Sequence, residues 1–281
     1  MAFAIVLALV TFFSGDFSLS GLLGASTSPE SLHLSVLDIL PLLAIFLATW
    51  VARRVLDHRS MVSLGFRLDH STVPDLLFGF IVPGFLFGLI FLFERGMGWM
   101  TYSGTAFRSE SPAAVVSAMA GGLVLFVLVG FQEELLSRGY QLQNLVEGLN
   151  LPWALIISSA IFGLLHIANP SAGWASLVGI LVAGLFLAFA WIRTGQLWLP
   201  IGLHIGWNFF EGTVFGFPVS GTGGYNLVLQ SVRGPEWLTG GGFGPEAGLV
   251  VIPALALGAV LIWLYTRTRA VQMPPIPQPL R

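Results

Sequence analysis

Residues 130–140 have the sequence GFQEELLSRGY, and they follow directly on a long apolar run. Residues 113–129 carry no charge and form an apolar run that approaches the length of a membrane span. Glu133, Glu134 and Arg138 stand just beyond that run, where hydrocarbon cannot solvate a charge. Ionisable groups at membrane depth pair with one another, face a wet cavity and usually mark function. The stretch therefore predicts a functional centre at the end of a membrane helix.

The composition of the whole chain also predicts a membrane protein. Of its 281 residues, 55% are hydrophobic and only 9% are charged, and the mean hydropathy is +0.84. A soluble domain carries about 25% charged residues. The net charge of −2 argues against a nucleic-acid partner. The chain has no cysteine, which excludes disulfides, cysteine nucleophiles and thiolate metal sites.

The apolar runs predict an all-α fold, a polytopic membrane helix bundle of about eight transmembrane helices. The first span, over residues 1–23, is the weakest because its apolar runs are short. In the seventh span, Gly202 and Gly206 are expected to let neighbouring helices approach closely. The spans after the first are predicted at residues 34–51, 71–93, 113–129 with a more polar extension to 147, 151–169, 174–192, 197–215 and 249–265.

These spans are expected to form a single integral membrane domain with three parts. Residues 1–112 hold about three transmembrane helices and their loops, and residues 113–216 form a helical core. Residues 217–281 hold a glycine-rich loop, the last transmembrane helix and a proline-rich tail. Two connections are long: residues 94–112 are predicted to be a loop, and residues 216–248 to be either a lid or a flexible link.

The arginines predict the orientation of the bundle. Eight spans put both termini on the same side of the membrane. If that side is the cytoplasm, eight arginines lie inside and three outside, as the positive-inside rule favours. An all-membrane chain without sorting signals indicates the plasma membrane of a prokaryote, with membrane lipids as its surroundings.

Helical spacing predicts which polar side chains in and around residues 130–140 lie on the same face of a helix. Glu134 and Arg138 are four residues apart on one helix and can pair. Glu133 points about 100° away from Glu134, so it is free to face something else. His204 and Asn208 are also four residues apart, which puts them on one face of the seventh span.

A hairpin brings His166 to the depth of Glu133. The tight turn around Asn150 joins the helix of Glu133 to the helix of His166. Glu133 lies 17 residues before Asn150 and His166 lies 16 residues after it. Because both arms rise equally per residue, the two side chains are predicted to lie at nearly the same depth.

Three motifs in this order on three membrane helices resemble a known family. Glu-Glu-x-x-x-Arg, Phe-x-x-x-His and His-x-x-x-Asn are similar to the motifs of the CAAX-protease and bacteriocin-processing family, also called abortive-infection proteins. The resemblance covers roughly residues 113–215, and Ser137 departs from it where family members often have phenylalanine. We expect that departure to affect packing more than chemistry. The matching positions are Glu133, Glu134, Arg138, Phe162, His166, His204 and Asn208.

The resemblance implies an intramembrane glutamic endopeptidase that needs no cofactor. Glu133 would be the general base that activates a water, and His166 would hold that water or protonate the leaving amine. His204 and Asn208 would donate to the developing oxyanion. The substrate would be a peptide or protein at the membrane, and the resemblance leaves open whether it is prenylated. The supporting residues would be Glu134, Arg138 and Phe162.

Other interpretations stay open at this stage. Zinc is the alternative cofactor, because Glu133, His166 and His204 can supply three ligands and leave a position for water. A proton-coupled transporter is an alternative function because buried Glu and His form relays, although the chain shows no inverted repeat. A third alternative is a non-catalytic immunity protein that keeps these residues for stability. Glu211 is expected either to orient His204 or, with more weight, to reach the outer interface.

Overall fold

The computed structural model describes residues 36–269 and confirms the all-α membrane bundle. The predicted first span, residues 1–23, and the proline-rich tail lie outside the described residues. Two shorter apolar helices, Leu151–Leu165 and Val251–Thr266, accompany the longer ones. Within the described part of the chain, four helices are long and apolar enough to cross a membrane: Ile39–Leu56, Thr72–Gly96, Pro112–Gly148 and Trp174–Thr194.

Three helices of the described part of the chain change their winding along their length. The chain turns into wider π-helix at Ala52–Leu56, at Leu135–Gln141 and at Phe209–Val214. The α-helices, named in chain order, are α1 Val36–Val51, α2 Thr72–Gly96, α3 Pro112–Glu134, α4 Leu142–Gly148, α5 Leu151–Leu165, α6 Trp174–Thr194, α7 Trp198–Asn208, α8 Glu236–Thr239 and α9 Val251–Thr266.

The turn that joins α4 to α5 is encoded locally. Asn150 precedes α5, and its side-chain oxygen accepts a hydrogen bond of 3.1 Å from the Trp153 N–H. This bond satisfies a backbone donor that the first turn of a helix otherwise leaves unpaired. Pro152 follows within the first turn, where its missing N–H costs nothing. The predicted hairpin between the helix of Glu133 and the helix of His166 is therefore present.

The two long connections contain a small sheet, which the sequence analysis did not predict. Met100–Thr105 (β1) pairs antiparallel with Val228–Val232 (β2). The region predicted to be a simple loop at residues 94–112 is therefore partly a strand. Residues 216–248, the covering segment, are likewise hydrogen-bonded to the rest of the protein, for example from Asn169 to Ser220 and from Trp207 to Glu246, which favours a cover over the bundle rather than a flexible link. Neither strand shows a regular alternation of apolar and polar residues, so periodicity did not reveal them.

Helices α2 and α7 lie in close contact because glycines replace larger side chains between them. A Cβ atom at Gly79 of α2 would lie 2.6 Å from the carbonyl oxygen of Leu199, far inside normal contact distance. Gly202 and Gly206 of α7 face the backbone of α2 in the same way, as predicted. The apolar core around this contact includes Leu86, Phe87, Phe186, Leu203 and Leu255.

Gly79→Ala is expected to destabilise the protein by about 1–3 kcal/mol, because the new methyl group forces α2 away from α7. Gly88→Ala on the same helix is the matched control, since its Cβ would lie 3.6 Å from the nearest atom, a Phe215 ring carbon. That control is expected to be neutral or slightly stabilising, since alanine favours helix by up to about 1 kcal/mol over glycine. Thermal unfolding in detergent measures both. Equal melting temperatures for the two variants would contradict the close contact.

Candidate active site

Glu133, on the last turn of α3, faces two imidazole rings. Its Oε2 atom lies 3.7 Å from Nε2 of His204 and 4.0 Å from Nε2 of His166. The side chain of Glu133 keeps 21% of its surface exposed, so it is reachable from the cavity in front of it. The prediction that Glu133 and His166 lie at the same depth is confirmed. His204, which the sequence already groups with these two residues as a possible third ligand, lies in the same cluster.

Hydrogen bonds on the far side of each ring assign the histidine tautomers. Nδ1 of His166 lies 2.8 Å from the carbonyl oxygen of Phe162, and Nδ1 of His204 lies 2.8 Å from Oε1 of Glu134. Both oxygens only accept, so each Nδ1 carries the hydrogen and donates it. In neutral rings both Nε2 atoms are then acceptors, like the carboxylate of Glu133. Three acceptors therefore converge, and such a group favours a shared proton, a water molecule or a cation between them.

A buried ion pair lies behind His204. Nη1 of Arg138 donates to Oε1 of Glu134 at 2.7 Å, which confirms the predicted pairing. Nη2 of Arg138 donates to the carbonyl oxygen of Gly184 at 3.0 Å, and its guanidinium lies 4.3 Å above the ring of Phe162. Arg138 thus balances the charge that fixes the tautomer of His204. Phe162 does more than fill space, since it covers the cation with its aromatic face.

Arg138 lies in the π-helical turn at Leu135–Gln141. In this turn a backbone N–H reaches five residues back, as in the bond from Leu142 to the carbonyl of Ser137. Such turns are often found at functional sites because they change the direction of side chains within a helix. Ser137 is buried there, in agreement with a role in packing.

Asn208 and the motif residues share one cavity. Glu133, His166, His204 and Asn208 all line it. Asn208 lies one turn after His204 on α7, as the spacing predicts. The cavity wall is otherwise mainly apolar, with side chains from α3, α5 and α6 that include Leu125, Leu128, Phe162, Ile180 and Leu187. The arrangement can hold a water against Glu133 and an apolar group beside it.

The same atoms fit the chemistry of zinc, although not its spacing. Two imidazole nitrogens and a carboxylate oxygen are zinc ligands, and each histidine has the second-sphere acceptor on Nδ1 that zinc sites use. Tetrahedral zinc places such atoms about 3.4 Å apart. The separations from Glu133 of 3.7 and 4.0 Å are somewhat longer, so His166 and Glu133 would have to approach each other.

Two further carboxyl groups are buried, one after α7 and one in the segment after β2. Glu211 is completely buried, so its predicted position at the outer interface is wrong. Neither of its oxygens has a hydrogen-bond partner within residues 36–269, so it does not orient His204 through such a bond. Glu246 lines the cavity from the segment after β2, and burial raises the pKa of its carboxyl. Sequence reasoning missed Glu246 because it stands in a glycine-rich stretch without helical periodicity.

Comparison with known proteins supports the motif assignment. Residues 115–210, about a third of the chain, match the family model described as Rce1-like, type II CAAX prenyl endopeptidase. This match confirms the resemblance that the three motifs indicate, and it covers every motif position. No curated protein matches the chain.

Arg138→Gln is expected to destabilise the protein by about 3–5 kcal/mol, because it leaves the buried carboxylate of Glu134 without its partner. Arg59→Gln is the matched control, since Arg59 pairs with Glu147 where both side chains are about 30% exposed. Exposed pairs are worth at most about 1 kcal/mol. Thermal unfolding in detergent compares the two variants. A similar loss of stability in both variants would show that the buried pair contributes no more than the exposed one.

Proposed function

We propose that this protein is an intramembrane endopeptidase in which Glu133 activates the water that attacks the peptide bond. At the coarser level, the family match supports a CAAX-type intramembrane protease. The finer proposal is carried by one observation, the convergence of Glu133 Oε2 with Nε2 of His166 and of His204. A water molecule in this position can donate one hydrogen to Glu133 and another to an imidazole nitrogen.

In the first step, Glu133 takes a proton from the water, and the water oxygen bonds to the carbonyl carbon of the substrate. The electron pair of the C=O bond moves to the oxygen, which becomes an oxyanion. Asn208 donates to this oxyanion through its amide N–H, a role typically worth about 3 kcal/mol. His204 can donate through Nε2 only as an imidazolium, because its Nδ1–H already serves Glu134. Glu134 keeps accepting the Nδ1–H of that imidazolium.

In the second step, the tetrahedral intermediate breaks its C–N bond. The amine that leaves needs a proton, and we propose that it comes from the imidazolium of His166 or, through His166, from Glu133. His166 is held for this role by its bond to the carbonyl of Phe162. The electron pair returns from the oxyanion to form the new carboxyl group.

The substrate we propose is a membrane-associated or lipid-modified peptide or protein. The apolar wall of the cavity on α3 and α6, with Leu125, Leu128, Ile180 and Leu187, suits an aliphatic group better than a charged one. A prenylated peptide is one such substrate. The plasma membrane of a prokaryote, with both termini in the cytoplasm, remains the proposed location.

We propose that catalysis needs no metal. If zinc were bound, Glu133, His166 and His204 would hold it, and it would supply Lewis-acid activation of the water. Without zinc, Glu133 alone accepts the proton. The two versions of the reaction use the same residues and differ in their response to chelators.

Glu133→Gln is expected to abolish peptide cleavage, because an amide cannot accept the proton of the water. The assay uses purified protein in detergent with a peptide library and no ion gradient, under which a transporter does not cut peptides. Glu147→Gln is the control, since Glu147 lies on the same continuous helix but pairs with Arg59 away from the cavity. It is expected to keep wild-type turnover. Full turnover by Glu133→Gln at equal protein amount would remove Glu133 from the mechanism.

Exhaustive chelation of the purified protein is expected to leave cleavage unchanged. The measurement is the initial rate on the same peptide before and after treatment, with metal content measured in parallel. Loss of activity that zinc specifically restores would establish the zinc-dependent version instead.

A further inference from the structure

We propose that Glu246 is a further positioning residue of this active site, which ties the turn carrying His166 to the helix carrying Asn208. This inference rests on the proposed function and deepens it. Glu246 comes from the segment between β2 and α9, far in sequence from the three motifs, and it lies on the same cavity as Glu133.

The carboxylate of Glu246 joins α7 to the segment that covers the cavity. Oε1 accepts a hydrogen bond of 3.0 Å from the indole N–H of Trp207, the residue directly before Asn208. Oε2 accepts from the backbone N–H of Ser220 at 2.9 Å and from its hydroxyl at 2.6 Å. Glu246 is only 5% exposed, so water does not compete strongly for these hydrogen bonds.

Ser220 continues the connection to His166. The side-chain amide of Asn169 donates to the carbonyl oxygen of Ser220 at 2.9 Å. Asn169 belongs to the turn after α5, and its backbone N–H donates to the carbonyl oxygen of His166 at 3.1 Å. The backbone of Ser220 has a φ of +48°, a conformation that residues other than glycine seldom adopt. The hydrogen bonds to Glu246 therefore hold Ser220 in a strained conformation. One hydrogen-bonded path therefore runs from His166 to Trp207 through Glu246.

Close packing fixes the position of Glu246 itself. A Cβ atom at Gly179 of α6 would overlap the carbonyl oxygen of Glu246, so only glycine leaves room for this backbone. A Cβ atom at Gly221 would likewise overlap the carbonyl oxygen of Pro170, next to the turn of His166. The covering segment thus touches the helix bundle through backbone atoms, and small shifts of Glu246 are transmitted to the turn.

The charge of Glu246 adds to its effect on geometry. Glu246 lines the same cavity as His166 and His204, and the three hydrogen bonds that it accepts favour its ionised form. The other charged groups around these rings are Glu133 on α3 and the neutralised pair of Glu134 and Arg138, whereas the buried carboxyl of Glu211 after α7 interacts with Glu246 itself. An imidazolium in the cavity therefore faces carboxylates on two sides, and removing Glu246 makes that imidazolium less stable.

The test compares Glu246→Gln with Glu236→Gln in the full-length protein in detergent, on a peptide that the wild type cleaves. Glu236 is exposed on α8 in the same covering segment, so it is a matched control. For Glu246→Gln we expect kcat to fall about 10- to 100-fold, as misplaced catalytic groups do, while KM stays within about threefold. The alkaline limb of its pH–rate profile is expected to move to lower pH, because the imidazolium loses a nearby negative charge. The control is expected to match the wild type in both measurements.

Ser220→Ala distinguishes the positioning effect of Glu246 from the effect of its charge. It also tests the positioning role if Glu246→Gln does not fold. It removes one hydrogen bond of Glu246 and keeps the carboxylate, so kcat should fall while the pH–rate profile stays in place. A wild-type kcat and pH profile in Glu246→Gln would overturn the inference, as would a wild-type kcat in Ser220→Ala when Glu246→Gln is unfolded. A wild type that cleaves no peptide would instead contradict the proposed function.

Discussion

The buried pair of Glu134 and Arg138 is the interaction on which the arrangement of the site depends. Glu134 accepts from both Arg138 and Nδ1 of His204, so one carboxylate oxygen joins a cation to an imidazole. Arg138 in turn reaches α6 through the carbonyl of Gly184 and α5 through the ring of Phe162. Four helices are therefore held around one charge pair. In a medium that cannot solvate an isolated charge, this pair specifies how they pack.

Glu133 and Glu134 have different roles because their side chains point in different directions. Glu134 faces the protein and is completely buried, whereas Glu133, one residue earlier, faces the cavity and stays partly exposed. Because neighbouring residues on a helix point about 100° apart, a Glu-Glu pair at the end of a membrane helix provides both a structural anchor and a reactive group. The imidazole of His204 connects the two, since its Nδ1 serves Glu134 and its Nε2 faces Glu133.

Much of the site follows from the sequence because it depends on helix geometry. The pairing of Glu134 with Arg138 and the equal depth of Glu133 and His166 need only the rise and twist of helices and a short turn. Glu246 could not be predicted in this way, because it reaches the cavity through a segment whose path is set by tertiary contacts. The sheet of β1 and β2 and the π-helical turn of Arg138 also lack a periodic signal in the sequence. For Glu211, position on the helix suggested an interface, and the covering segment buries it instead.

The pairing of β1 with β2 makes the two long connections depend on each other's length. Side chains alternate between the faces of a strand, so inserting or deleting one residue in either strand turns its neighbours to the opposite face. The register that joins Met100 to Val232 and Thr105 to Val228 already absorbs one irregularity near Gly104. Two stretches separated by more than a hundred residues of sequence therefore have to evolve as one unit, and a graft that exchanges only one of them would misalign the other.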